Sequence, residues 1–305
     1  MLTWNIGAVK VTRIVEMEMP VAYNEKHPFL AEARPEALAE MPWLVPHFAT
    51  AEGVMKLSIH ALLVDAPGMR LVVDTCIGND KPRKMLGEQP LSTEFLKHLA
   101  DAGWDRDSVD AVVCTHLHVD HVGWNTMKVD GAWVPTFPRA RYLIGRTEHA
   151  HWSAEGDEEQ QEILADSVKP IFDAGLADLV EPDHRLSNEI RLMPTHGHTP
   201  GHVSVVIESG GETAIITGDM MHHPCQVARP HWSPDFDSDK AWAERTRKGF
   251  LADVADKPIL IIGTHFAGPT AGHVRRDGET YRFDVSETQS QPVSTKSASD
   301  DKIRA

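Results

Sequence analysis

Four side chains that commonly bind metal ions crowd into six residues near the middle of the chain. These are His116, His118, Asp120 and His121, directly after the apolar run in DAVVCTH. That run predicts a buried strand, and if its geometry continued, His116 and His118 would point to the same side. Four such groups brought together without a metal ion would leave buried polar atoms unpaired, so the spacing predicts a metal site.

Three later stretches place further candidate ligands at the ends of predicted strands. The segment PTHGHTPGH contains His196, His198 and His202, ITGDMMHH contains Asp219, and IIGTHF contains His265. Imidazole and carboxylate groups without a thiolate suit Zn²⁺, and also the harder ions Mn²⁺, Fe²⁺ and Co²⁺. There are too many candidates for one tetrahedral ion, so the sequence predicts two divalent ions that share a carboxylate.

The elements that must position these groups alternate between strand hairpins and strand–helix units. LSIHALLVDAPGMRLVVDTCIG predicts a hairpin around a Pro-Gly turn, and IRLMPTHG, HVSVVIESG and ETAIITGDM predict three successive strands. Helices are predicted for LSTEFLKHLADAG, for DEEQQEILADSVKPIFDAG with an interruption near Pro170, and for DSDKAWAERTRKGFLADVADK with Asp237 or Ser238 as its cap. The pattern indicates an α/β (α+β) protein in which two packed sheets have helices outside, as a single domain over residues 1–287.

Two segments stand apart from this pattern. Residues 22–53 contain four prolines among aromatic side chains. Their composition predicts an arm or lid that packs over another part of the molecule or over a partner subunit. Residues 288–305 are polar and low in aromatics, which predicts a disordered tail.

Charge and composition restrict the kinds of partner. The chain has 305 residues, 41% of them hydrophobic, and its 30 basic against 45 acidic residues leave a net charge of −15. Such a negative surface disfavours nucleic acids and anionic membrane surfaces. The sequence predicts neither a signal peptide nor a membrane span, and Cys76, Cys114 and Cys225 are far apart, as is typical of a reducing compartment. We therefore expect a soluble cytoplasmic protein that binds a small molecule.

Taken together, H-x-H-x-D-H, GHTPGH, TGD and GTH occur in the order found in the metallo-β-lactamase superfamily, which residues 60–270 resemble. The resemblance implies a four-layer αββα sandwich with a dinuclear metal site at one edge of the two sheets. Carried over residue by residue, it assigns His116, His118 and His198 to the first ion, Asp120, His121 and His265 to the second, and Asp219 to both. It leaves His196 and His202 with supporting or packing roles and makes Asp74 a hydrogen-bonding support of the ligand loop.

The same resemblance implies a metal-dependent hydrolase. A water held between two cations becomes hydroxide near neutral pH and can attack a carbonyl or phosphoryl centre. Asp120 would accept or relay a proton while it binds its ion. A sulfur dioxygenase with a single iron is the alternative from another class of enzyme, and a metal-binding protein without enzymatic activity is the alternative outside catalysis. His118 stands where flavodiiron proteins need glutamate, which disfavours their redox chemistry.

The stretch that begins at Asp219 and the segment GTHFAGPTAGHVRR look similar to the methyl parathion hydrolase and lactonase-like branch. In that branch a histidine stands three positions after the shared aspartate, which is His222 here, whereas many quorum-quenching lactonases carry tyrosine there. His222 is therefore a candidate donor to the substrate's carbonyl or leaving group. The simpler interpretation is that His222 or His223 orients the Asp219 loop.

Aromatic side chains near the ligand loops favour a small, largely apolar ester or lactone over a polyanion. The side chains expected to line such a pocket are Trp43, Phe48, Trp124, Trp232 and Phe266. A phosphotriester is the alternative substrate of this branch. Members of similar branches are often dimers, so the resemblance implies a homodimer with residues 22–53 as its candidate interface. β-Lactam hydrolysis is disfavoured because no secretory segment is predicted.

Overall fold

The computed structural model describes residues 1–286, in which two sheets pack face to face with helices on their outer sides. The strands, numbered in chain order, are β1 (Thr3–Ile6), β2 (Val9–Val21), β3 (Met55–Ala66), β4 (Met69–Val73), β5 (Ala111–Cys114), β6 (Thr126–Val129), β7 (Ala132–Pro135), β8 (Arg141–Gly145), β9 (Ala177–Val180), β10 (Ile190–Pro194), β11 (Val203–Ser209), β12 (Glu212–Ile216), β13 (Ile259–Ile262), β14 (Ala271–Asp277) and β15 (Thr280–Asp284). The predicted disordered tail, residues 288–305, lies outside the described residues.

The α-helices are α1 (Pro35–Ala39), α2 (Phe95–Asp101), α3 (Val119–Val122), α4 (Arg146–Glu155), α5 (Glu158–Ile163), α6 (Lys169–Asp173), α7 (Cys225–Ala228) and α8 (Lys240–Val254). Short 3₁₀ turns occupy Pro42–Leu44, Lys84–Leu86, Arg106–Ser108, Gly123–Asn125 and Gly218–Met220. The interruption predicted near Pro170 is a π-helical turn, Leu164–Val168, immediately before α6.

The strand directions bring the candidate ligand loops to one edge. The first sheet has the order β1-β2-β3-β4-β5-β8-β9, and the second has the order β10-β11-β12-β13-β14-β15. In the first sheet β4, β5, β8 and β9 run parallel. In the second sheet β10, β12 and β13 point the same way, because β11 is antiparallel to both its neighbours and β12 is parallel to β13. The residues that follow β5, β10, β12 and β13 can therefore meet.

Successive side chains of the central strands point to opposite faces of their sheet, which produces the layers. Val113 and Ile262 pack between the two sheets, whereas their neighbours Val112 and Ile261 pack on the outer faces. The outer face of the first sheet is covered by side chains that include Phe95, Leu99, Ile163 and Ile171. That of the second is covered by α8, through Phe250 and Leu251, and by the arm. The predicted αββα sandwich is confirmed.

The arm, residues 22–53, packs on the outer face of the second sheet. Leu30, Leu44 and Phe48 of the arm are fully buried in the same cluster as α8. Its role as a homodimer interface stays a prediction. Within residues 1–286, no helix combines the length and the apolar composition that crossing a bilayer requires.

The cap of α8 differs from the prediction. The side chain of Asp239, rather than that of Asp237 or Ser238, accepts a hydrogen bond from the backbone N–H of Trp242 at 2.8 Å. Asp237 lies before the helix, and its carboxylate accepts a hydrogen bond from a histidine of the candidate site.

Candidate metal centre

Three histidine rings converge at the ends of β5 and β10. His116 and His118 follow β5, and His198 lies in the loop between β10 and β11. The Nε2 atom of His198 lies 3.2 Å from Nε2 of His116 and 2.9 Å from Nδ1 of His118, and the last two atoms are 3.0 Å apart. Burial lowers the pKa of all three rings, that of His118 to about 4, so the rings are neutral and present lone pairs at pH 7. Such a group fits a divalent cation.

A second group forms beside the first from α3 and the loop after β13. The Nε2 atom of His265 lies 3.3 Å from Nε2 of His121 and 3.4 Å from Oδ2 of Asp120. Burial opposes a charge on His121 and His265, but the neighbouring carboxylates, Asp219 foremost, outweigh it and raise the pKa of both rings. Positive charge is thus stabilised here, and a bound cation would supply it in place of the ring protons.

Asp219 lies within reach of both groups. Its Oδ2 atom is 3.1 Å from Nε2 of His121 and 3.1 Å from Nε2 of His265. The same atom is 3.7 Å from Nε2 of His116 and 3.6 Å from Nε2 of His198. Its Oδ1 atom is buried and also lies 3.1 Å from Nε2 of His265, but without the geometry of a hydrogen bond. A carboxylate in contact with both groups and with one oxygen unsatisfied suits the predicted role of a shared ligand.

The carboxylate of Asp74 holds the ligand loop and one candidate ligand together. It accepts hydrogen bonds from the backbone N–H and the Oγ1–H of Thr115, each at 2.8 Å, and from Nδ1–H of His121 at 2.9 Å. A carboxylate only accepts, so a neutral His121 ring keeps its proton on Nδ1 and presents the Nε2 lone pair to the site. This geometry agrees with the supporting role predicted for Asp74.

Two buried acids that the sequence motifs do not indicate support the first group. Asp237 accepts Nδ1–H of His198 at 2.8 Å and lies 3.3 Å from Nη1 of the fully buried Arg247. Glu148, on α4, accepts hydrogen bonds from backbone N–H groups of both ligand loops. No local spacing marks either acid as a support, because their partners are distant in the sequence.

The other two histidines of the loop after β10 lie outside both groups. His202 accepts the backbone N–H of Asp219 at Nε2, at 2.8 Å, and donates Nδ1–H to the carbonyl of Thr195 at 3.0 Å. It thus holds the backbone of a candidate ligand. His196 is half-buried and packs against Trp242, with ring centroids 5.3 Å apart.

His222 and His223 have different surroundings. Both ring nitrogens of His222 are buried without a hydrogen-bond partner, and Nε2 lies 3.3 Å from Oδ2 of Asp219. His223 donates Nε2–H to the carbonyl of Phe48 at 2.8 Å and accepts the N–H of Cys225 at 3.1 Å. His223 therefore anchors the arm to the Asp219 loop, whereas the His222 ring has bonding capacity that the chain does not use.

Both groups open onto a cavity of about 540 Å³. Its polar lining near the candidate ligands consists of His118, Asp120, Asp219, His222 and His265. Its apolar lining includes Met19, Phe29, Leu57, Ile59, Trp152 and Phe236. Two acids, Asp157 and Glu159, also line it.

None of the aromatic residues predicted to line the pocket lines this cavity. These residues are Trp43, Phe48, Trp124, Trp232 and Phe266. Trp124 stacks on Phe95 with ring centroids 5.1 Å apart, under the first sheet. The other four pack in or against the core beneath α8. These residues are close to the ligand loops in sequence, but their rings pack in or against the core and do not face the cavity.

Comparison with known proteins gives a family match. A family model described as the metallo-beta-lactamase superfamily matches residues 55–256. An N-acyl homoserine lactonase of Bacillus sp. is 28% identical over 168 residues, which are 54% of this chain and 59% of that protein. An N-acyl homoserine lactonase of Bacillus cereus is 28% identical over 183 residues, 59% of this chain and 64% of that protein. The chain thus spans about three fifths of the length of these relatives.

Solved structures are similar over most of the chain. One, a hydrolase called AbOPH in the beta lactamase superfamily, has a TM-score of 0.76 at 23% identity and covers 93% of this chain and 96% of its own. Another, AidC, a dizinc quorum-quenching lactonase in complex with a product N-hexnoyl-L-homoserine, has a TM-score of 0.73 at 20% identity, with coverages of 92% and 95%. At these identities the likeness is one of fold.

Proposed function

The chain belongs to the metallo-β-lactamase superfamily, and on that basis we propose that it is a metal-dependent hydrolase of small, neutral lactones or esters. One observation carries the proposal: two groups of candidate ligands, both in contact with Asp219, open onto a cavity of about 540 Å³ with largely apolar walls. Hydrolysis assisted by a metal ion needs a cation and, beside it, a place for the substrate. The lactonase names of the curated relatives favour a lactone.

We assign two divalent ions to the site, with Zn²⁺ favoured over Mn²⁺, Fe²⁺ and Co²⁺ by the nitrogen-rich ligand set. His116, His118 and His198 would hold one ion, Asp120, His121 and His265 the other, and Asp219 both. When bound, such ions supply Lewis acidity toward a carbonyl oxygen and lower the pKa of water.

Asp120 and His222 carry the catalytic roles that we propose for the chain itself. Asp120 lines the cavity and its side chain is 16% exposed, so its carboxylate can accept a proton released in the reaction. His222 lines the same cavity and its ring nitrogens make no hydrogen bond within the chain, so the ring can donate to the carbonyl or leaving oxygen of the substrate. The alternative, in which His222 orients the Asp219 loop, rests on the 3.3 Å between its Nε2 atom and Oδ2 of Asp219, an approach without hydrogen-bond geometry.

The cavity lining favours a neutral substrate with an apolar part. Burial of an acyl chain against side chains such as Met19, Leu57 and Ile59 contributes favourable binding free energy. Asp157 and Glu159 at the same cavity disfavour anionic substrates through charge repulsion.

The test is metal analysis combined with a hydrolysis panel of lactones, aryl esters and phosphotriesters. We expect two equivalents of metal, hydrolysis of lactones or esters, and loss of activity after chelation with recovery on addition of Zn²⁺. A preparation that holds no metal and keeps full activity would refute the proposal. One equivalent of iron with oxidation of a sulfur substrate would point to the sulfur dioxygenase instead.

A phosphotriester is the second candidate substrate. It is favoured by His222, which occupies the position where many quorum-quenching lactonases carry tyrosine. Faster turnover of phosphotriesters than of lactones in the same panel would decide for it. β-Lactam hydrolysis can be measured in parallel, and we expect none.

A homodimer and a cytoplasmic location remain predictions. The apolar residues Leu30, Leu44 and Phe48 of the arm are buried against their own chain, so a dimer contact there would use exposed positions such as Val45, which is 42% exposed. Sedimentation over a range of concentrations tests the dimer, and a monomer throughout would exclude it.

A further inference from the structure

Glu148 links the two loops that carry the first group of candidate ligands. It lies in the first turn of α4 and is 1% exposed. Its Oε1 accepts the backbone N–H of Leu117 at 3.1 Å and Nε1–H of Trp152 at 2.6 Å, and its Oε2 accepts Oγ1–H of Thr199 at 2.7 Å and the backbone N–H of Gly201 at 3.0 Å. One side chain thus bonds to the residue between His116 and His118 and to the residue after His198.

The two peptide groups that join Leu117 to His116 and His118 are each held by a side chain. Its N–H donates to Glu148, and its carbonyl accepts Nε2–H of Gln160 at 2.8 Å. Gln160 lies on α5 and is 6% exposed. A rotation of the first peptide group would turn His116 and a rotation of the second would turn His118, so these two contacts restrict the orientation of both rings.

The loop after His198 is packed directly on the start of α4. A Cβ atom at Gly201 would lie 2.3 Å from the backbone nitrogen of Glu148 and 2.6 Å from its Cα. The loop can approach the helix this closely only because residue 201 is glycine. The short distance brings the N–H of Gly201 and the hydroxyl of Thr199 onto the Glu148 carboxylate.

All four partners of the Glu148 carboxylate are donors, and no lysine or arginine of residues 1–286 forms an ion pair with it. Burial raises the pKa of Glu148, and its hydrogen bonds act in the opposite direction. Each oxygen takes two donors, and three of the four, the two backbone N–H groups and the indole N–H, cannot accept a carboxyl proton, so the arrangement fits the ionised form better. Cations bound in the neighbouring groups would favour that form further.

We propose that Glu148, together with Gln160, is a positioning residue for metal binding, which fixes His116, His118 and His198 in the orientation that one ion requires. This inference rests on the proposed metal-dependent function and extends it to residues outside the ligand motifs. The ring of Trp152, held by Glu148, lies 5.3 Å from that of His118 and lines the cavity, so the same carboxylate also positions part of the cavity wall.

The test uses the full chain with Glu148→Gln, which keeps the side-chain shape but places an N–H₂ group against N–H or O–H donors. We expect the variant to bind Zn²⁺ about tenfold to hundredfold more weakly in competition with a chelator. We also expect an altered absorption spectrum of the Co²⁺-loaded protein, because that spectrum reports ligand geometry. Ile171→Ala, a fully buried core position on α6, is the control for lost stability: its melting temperature should fall while affinity and spectrum stay as in the wild type.

Gln160→Met provides a second route, since it removes the donor to Leu117 and leaves the carboxylate in place. It should weaken Zn²⁺ binding in the same direction, and it keeps the test decisive if Glu148→Gln does not fold. Wild-type affinity and Co²⁺ spectrum in every folded variant of the two would overturn the inference, whatever happens to stability. A wild-type protein that binds metal but hydrolyses nothing in the panel would instead overturn the proposed function.

Discussion

Asp237 accepts a hydrogen bond from Nδ1 of His198 at 2.8 Å, and both side chains are almost completely buried. Because Nδ1 donates, the lone pair of His198 is on Nε2, which is the atom that faces His116 and His118. The other carboxylate oxygen of Asp237 lies 3.3 Å from Nη1 of Arg247. Asp237 thus contacts both the candidate ligand His198 and the buried Arg247 of α8.

We expect Asp237→Asn to impair both metal binding and stability. The loss of the charge weakens the hold on His198, which should lower metal affinity about tenfold or more. It also leaves Arg247 without its buried counter-ion, which should reduce the free energy of unfolding by about 3 kcal/mol. Chelator competition and denaturant unfolding measure the two effects. Asp239→Ala is the control, since it removes the α8 cap at about 1 kcal/mol and should leave metal affinity unchanged. Wild-type affinity in Asp237→Asn would contradict the role of this contact.

His222→Ala should lower kcat about a hundredfold if the ring donates to the substrate, because one stabilising hydrogen bond in the transition state is lost. Metal content should stay the same. His223→Ala is the matched control, because it breaks the contact with the carbonyl of Phe48. It should lower the melting temperature and leave kcat close to the wild-type value. Unchanged turnover in His222→Ala would favour the supporting role. Loss of a metal equivalent would make His222 a ligand, for which its position beside His198 and Asp219 has suitable geometry.

The sequence motifs mark residues that lie together in the structure, because each motif follows the end of a strand. A strand followed by a short run of histidines brings residues such as His116 and His118 to a sheet edge, and parallel strand directions bring the edges together. Glu148 and Asp237 escaped prediction because their partners are reached only through the tertiary fold. The position of Trp124 in the sequence predicted that it lines the pocket, but its ring packs in the core and does not line the cavity.

The reason for that error is competition between two environments. The indole of Trp124 stacks on Phe95 and donates Nε1–H to Glu16 at 2.7 Å, so both its apolar surface and its polar atom are satisfied away from the cavity. The aromatic lining comes instead from Phe29 on the arm, Trp152 on α4 and Phe236 before α8. Nothing in their local sequence relates these three positions to the ligand motifs.

Glu159→Gln should improve the hydrolysis of esters that carry a carboxylate in the acyl chain. Glu159 lines the cavity and its Oε2 lies 3.4 Å from Nζ of Lys84, so the substitution removes a negative charge and frees a positive one. The side chain is 30% exposed, and we therefore expect a decrease in KM of at most about fivefold, smaller at high salt. Neutral esters should show no change. Glu158→Gln, an exposed neighbour that does not line the cavity, is the control. An equal effect of both substitutions would mean that only the overall charge matters.

Lys81 is a fully buried cation beneath the segment that follows His121. Its Nζ donates to the carbonyl of Gly123 and to the carbonyl and Oγ1 of Thr126, the last two at 3.1 and 2.8 Å. It also lies 4.5 Å from the ring centroid of Trp133. Burial lowers the pKa of Lys81 to about 7, although Asp166 opposes this. The ammonium form therefore satisfies these acceptors at a substantial cost in desolvation.

The lowered pKa of Lys81 gives stability a defined dependence on pH. Between about pH 7 and the pKa of an unfolded lysine, about 10.4, the unfolded chain holds a proton that the folded chain has released. The free energy of unfolding contributed by Lys81 should therefore rise with pH in this window, by at most about 1.4 kcal/mol per pH unit. Lys81→Met should be about 1–3 kcal/mol less stable than the wild type at pH 7, since it leaves buried carbonyls unpaired, and the difference should grow between pH 7 and 9. Denaturant unfolding at several pH values measures it, with the exposed Lys97→Met as the control that should show no such trend. A difference that stays constant across this range would mean that Lys81 remains protonated in the folded chain.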